Sequence, residues 1–84
     1  MATNEALELN QWMMEELADQ KISLLVKYVA QDEEIPSGMV EMVLTALEDL
    51  GNLALAQGFL KRHMTGLSMD HKRLLLTTLI SAGL

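Results

Sequence analysis

Apolar residues recur at helical spacing, not at strand alternation, along most of this 84-residue chain. Leu9, Met13 and Leu17 fall at i, i+4 and i+8, with Ala6 and Trp12 beside them, and Asn4 is placed to cap the segment they define. After Ala18 the apolar face turns to another side of the helix, because Ile22, Leu25 and Val29 are out of phase with that first stripe. The change of phase predicts a break or kink near Asp19, which would cap a second helix running to about Gln31. A single bent helix through the same residues is the alternative.

Asp32 to Ser37 reads as a loop, with Pro36 suited to the first turn of the next helix, where its missing N–H costs nothing. That helix runs to Leu50 and stops at Gly51. Its polar residues, Glu41, Thr45, Glu48 and Asp49, share a narrow arc, leaving roughly 200° apolar. A helix so apolar needs cover on two sides, which predicts that it forms the centre of the fold. Asn52 caps a further helix to Met64 with Leu53, Ala56, Phe59 and Leu60 inward, and Gly66 ends it. Ser68 caps the last, with Leu75, Leu76, Leu79 and Ile80 inward and Gly83 at its end, while Leu74 projects on its polar side. No run alternates with period two, so no strand is predicted. The expectation is an all-α chain: residues 1–84 as one domain, a compact four- or five-helix bundle. Its short connections make the segments 36–50, 52–64 and 68–82 successive antiparallel neighbours.

Composition narrows the class. A chain this short buries only about 60–65% of its unfolded surface, so its core is modest. With Trp12, Tyr28 and Phe59 as the only aromatics, that core is built from aliphatic residues and seven methionines. There is no cysteine, which excludes disulfides and thiolate chemistry and fits a reducing compartment. Leu74 to Leu84, the most apolar stretch, is about half of the ~20 residues a spanning helix needs. Residues 1–5 carry no basic or apolar leader pattern. The reading is a cytoplasmic protein away from membranes.

Charge then changes the picture. Residues 1–50 carry eleven acids against Lys21 and Lys27, a net of −9, while residues 51–84 carry Asp70 against Lys61, Arg62, Lys72 and Arg73, a net of +3. The total of −6 conceals the split, which bears on association and steering and not on catalysis.

Catalytic and metal chemistry find no footing. Gly66-Leu67-Ser68-Met69-Asp70 falls short of a GxSxG nucleophile elbow and follows a helix where the elbow needs a strand. Ser68 reads as a plain helix cap. His63 and His71 are the only histidines and lie on different helices, and Asp32-Glu33-Glu34 lacks the ligand spacing of a calcium loop. A DNA-reading helix opening at Asn52 would present Leu53-Ala54-Leu55-Ala56, none of which reads a base edge or neutralises a phosphate. No enzyme activity, cofactor or metal is expected.

Two features remain. Lys61, Arg62 and His63 close one helix while His71, Lys72 and Arg73 open the next, so all six gather at one end of the fold. The helix dipole accounts for Lys61 and Arg62 but not for Lys72 and Arg73, which lie near a positive helix end. These two either pair with the protein's own acids or meet an anionic partner. The second feature is methionine: Met13, Met14, Met39 and Met42 lie on the acidic helices, and such side chains suit adaptable apolar surfaces. The six basic-corner residues, with Met39, Met42 and Leu74, are therefore the expected contact set for another protein. The chain is expected to self-associate as a dimer. A small helical nucleic-acid-associated regulator using the basic corner is the alternative. His63 also falls in the apolar arc of its helix and is expected to be buried, neutral and hydrogen-bonded.

Overall fold

In the computed structural model, which describes the backbone from Thr3 and side chains from Leu7 to the last residue, four helices account for most of the chain. They are α1 (Thr3–Ala30), α2 (Met39–Asp49), α3 (Leu53–Met64) and α4 (Met69–Ser81), with no strand among the described residues. The break expected at Asp19 is absent: residues 3–30 form one continuous helix of 28 residues, about 42 Å long. The change of phase at Ala18 instead marks where burial begins. Ala18, Ile22, Leu25 and Val29 are buried, whereas Leu9, Trp12, Met13 and Leu17 are exposed. A helix can change its apolar face without breaking when only one of the two faces has a partner. The capping role expected of Asn4 and the placement of Ala6 lie outside the described side chains.

What stops α1 is Asp32. It adopts a left-handed backbone, φ 54°. Its N–H donates to the carbonyl of Val29 at 3.1 Å, and the Glu33 N–H donates to that of Tyr28 at 3.0 Å. This is the Schellman pattern, in which a left-handed residue lets the chain reverse over the last turn; aspartate tolerates that conformation better than most residues. Pro36 does not enter the next helix as expected. Its carbonyl accepts from the Met39 N–H at 3.2 Å in a turn, and α2 begins after Gly38, φ 84°. Asn52 and Ser68 do cap α3 and α4: their side chains accept from the N–H groups of Leu55 at 3.1 Å and His71 at 3.2 Å.

The second half of α1 is the element around which α2, α3 and α4 pack, so the centre lies there and not in the apolar helix α2 alone. One core cluster joins Ile22, Leu25 and Val29 of α1 to Val43 and Leu47 of α2, Phe59 and Leu60 of α3, and Leu75 and Leu79 of α4. Six of the largest core side chains are sealed from solvent completely or nearly so, among them Ile22, Leu25, Leu75 and Leu79. Three side chains expected inward are not there: Leu53 is 70% exposed, Ile80 62%, and Leu76 lies at the surface. The reason is visible in the contacts. α3 and α4 follow one another through a short turn but hardly touch; each spends its apolar face on α1 and α2. The arcs of α3 and α4 that would have met are left open between them.

Candidate interaction surface at the α3–α4 junction

α3 ends and α4 begins close to α1, and two side-chain pairs hold them. His63, in the last turn of α3, sits 2.7 Å through Nε2 from Oδ1 of Asp19 in the middle of α1. His71, in the first turn of α4, sits 2.9 Å through Nε2 from Oδ1 of Asp32 at the end of α1. An ionised carboxylate only accepts, so each ring donates from Nε2–H. The His63 side chain is 17% exposed, so its expected hydrogen-bonded place in the apolar arc of α3 is met, but with a carboxylate as the partner. Both histidines of the basic corner thus face the protein's own acids.

The four remaining cations behave differently. Among the described residues, Lys61, Arg62, Lys72 and Arg73 form no ion pair; His63–Asp19 and His71–Asp32 are the pairs there. Arg62 lies over the ring of Phe59, 4.8 Å from its centre, a cation–π contact that holds the guanidinium close to α3. Lys61, Arg62 and Lys72 line an open depression of about 550 Å³ together with Met64 and Thr65. Beside it, sharing Lys61 and Met64, a second depression of about 460 Å³ is lined by Gln57, Leu60, Leu76 and Leu84. The two form one trough between α3 and α4, apolar along its floor and basic at one end.

On α4 the helical spacing continues this character. Met69, Leu76 and Ile80, at i, i+7 and i+11, share an exposed arc in which Lys72 and Arg73 are interleaved. Leu74 is exposed on another face, as expected from its polar neighbours. The methionines expected to act together differ: Met39 belongs to the core and is no surface residue, while Met42 is half exposed at the rim of the buried face of α2. α2 turns toward α1 the arc that Met39 occupies, and Met42 is left facing outward.

Sequence reasoning missed Asp19 and Asp32 as partners of the two histidines, Leu60, Met64, Leu76 and Leu84 as trough residues, and Ile80 as exposed. A signal was available for Leu76 and Ile80. With Leu75 and Leu79 they make an arc wider than a helix of 13 residues covers against one neighbour. Among the described residues there is no cluster of three or more His, Asp or Glu that could hold a metal ion. No helix there is long and apolar enough to cross a membrane. The chain matches no known protein family, no curated protein sequence and no solved structure.

Proposed function

We propose that this protein is a non-enzymatic protein–protein interaction module, regulatory or adaptor in kind, that receives an apolar, acid-flanked segment of its partner in the trough between α3 and α4. The observation that carries this reading is that Lys61, Arg62 and Lys72, with Arg73 adjoining, form no ion pair among the described residues, and that the first three line the trough with Leu60, Met64 and Leu76. Apolar burial supplies affinity and the basic rim supplies orientation and rate of encounter. Freedom from cysteine suits work in the reducing cytoplasm.

The competing reading, a nucleic-acid-associated regulator, would use the same cations on phosphates. It is weakened by the net charge of −6 and by the leucines and methionines that share the trough with the basic groups. Two measurements separate them. Extract from the source cells, passed over immobilised protein, is expected to yield a protein retained by the wild type and lost on the Lys72→Glu/Arg73→Glu variant. Single-stranded and duplex oligonucleotides are expected not to bind at physiological salt. Micromolar oligonucleotide binding that falls steeply with salt and disappears in the same variant would overturn the reading.

A further inference from the structure

The geometry points to a specific occupant of the trough: the projecting first part of α1, residues 7–17, of a second copy of this chain, exchanged reciprocally in a dimer. This rests on the trough being a protein-docking surface and adds what docks there.

The projecting segment is an amphipathic helix supported only at its end, where Met14 and Leu17 border Ala46 and Asp49 of α2. No residue from Leu7 to Leu17 is buried, while the helix continues without a break into the core at Ala18. Leu9, Met13 and Leu17 form its stripe, and Trp12, 57% exposed, stands beside them. Leu9, Trp12 and Met13, ahead of the point where Leu17 borders α2, make an apolar contact surface awaiting a groove. Glu8, Glu15 and Glu16 flank it, and no basic residue occurs before Lys21.

Charge decides which groove. Two such segments laid side by side would bring their glutamates together, which is repulsive. The trough offers the opposite sign: Lys61, Arg62 and Lys72 around Leu60, Met64 and Leu76, with Arg73 next to Lys72 in the sequence of α4. Lengths also match, since eleven helical residues span about 16 Å and the exposed arc of α4 from Met69 to Ile80 spans about the same. The segment cannot reach its own trough, because α1 is continuous and fixed in the core from Ala18 onward. A second copy can. Reciprocal exchange covers two segments and two troughs at once, which brings a small contact toward the ~1,200 Å² typical of stable association, and closes the assembly at two chains.

The test uses the full chain and its single tryptophan, which lies in the docking segment. Sedimentation equilibrium at micromolar concentration is expected to give a dimer, with Trp12 emission shifting to the blue as concentration rises. Met13→Glu, which spoils the segment, and Leu76→Glu, which spoils the trough, are each expected to give monomers with unchanged helical circular dichroism. Leu84→Glu, at another exposed trough residue, replaces Leu76→Glu if the latter fails to fold. Trp12→Phe/Met13→Glu, which has an intact trough and no tryptophan, is then titrated into Leu76→Glu, whose segment is intact. A saturating blue shift is expected, because one segment–trough contact can form.

A monomeric wild type with constant emission would overturn this occupant. So would a dimer that survives Leu76→Glu and Leu84→Glu, or a titration without a shift. These failures are separate from those of the interaction module itself, which stands or falls on capture of a different protein and on its loss in Lys72→Glu/Arg73→Glu.

Discussion

Asp19 and His63 meet at 2.7 Å across forty-four positions of sequence, joining the middle of α1 to the last turn of α3. The contact is half-screened from water, with the imidazole well covered and the carboxylate at the edge. Such a pair contributes less than a buried one, because solvent competes for the exposed partner. A double-mutant cycle on Asp19→Ala and His63→Ala, read by urea unfolding, is expected to give a coupling of about 0.5–1 kcal/mol. Additive losses would mean that the two side chains act independently.

Leu75 and Ile80 lie on one helix and differ completely in surroundings: the first is sealed in the core, the second open to solvent. Leu75→Ala is expected to lower stability by about 2–5 kcal/mol, and Leu79→Ala by a similar amount. Ile80→Ala is expected to change it by about 0.5 kcal/mol or less, measured well below any concentration at which chains associate. Equal losses at positions 75 and 80 would contradict the packing of α4.

Asp32 does two things at once, ending α1 in a left-handed conformation and receiving the His71 ring. Glycine keeps the first role and loses the second; alanine loses both. Asp32→Gly is expected to stay within about 0.5 kcal/mol of wild type, with Asp32→Ala about 1 kcal/mol less stable than the glycine variant. Thermal or urea melts of the three proteins order them directly.

Gly51 and Gly58 give a paired prediction of opposite sign. A Cβ meets nothing within 4 Å at either position, so only backbone conformation matters. Gly51 has φ 67° after the end of α2, where a side chain is strained, and Gly51→Ala is expected to cost about 1–2 kcal/mol. Gly58 lies inside α3 on its exposed side. There Gly58→Ala is expected to stabilise the protein by about 0.5–1 kcal/mol.

Helix existence and most ends were legible because they are local. Caps at Asn52 and Ser68 and the glycine stop at Gly51 act over three or four residues, and the structure uses all three. The end of α1 was placed to within a residue, but its termination by Asp32 was hidden, since aspartate in a left-handed turn leaves no mark as plain as glycine does. The phase change at Ala18 was read correctly as a change of face and incorrectly as a break; periodicity records which side is apolar, not whether a partner lies on it. The same limit explains Leu53, Leu76 and Ile80. Their spacing suits burial, yet burial needs a neighbour, and α3 and α4 each pack against α1 and α2 instead of each other. Of the basic corner, the clustering was legible and the division of labour was not. Separating His63 and His71 from the lysines and arginines required knowing where Asp19 and Asp32 stand.

The single length of α1 joins two regimes of cooperativity. From Ala18 onward its amides are held by the core and should exchange with solvent only when the whole bundle opens. From Leu7 to Met13 the same helix is exposed throughout, ahead of the point where Met14 and Leu17 border α2, and so short an isolated stretch is marginal in water. In the free chain its amides should exchange orders of magnitude faster, and its ellipticity should fade gradually with heating before the main transition. Because Trp12 lies in this part and Tyr28 lies beside the core, the two chromophores should report different melting curves from one polypeptide.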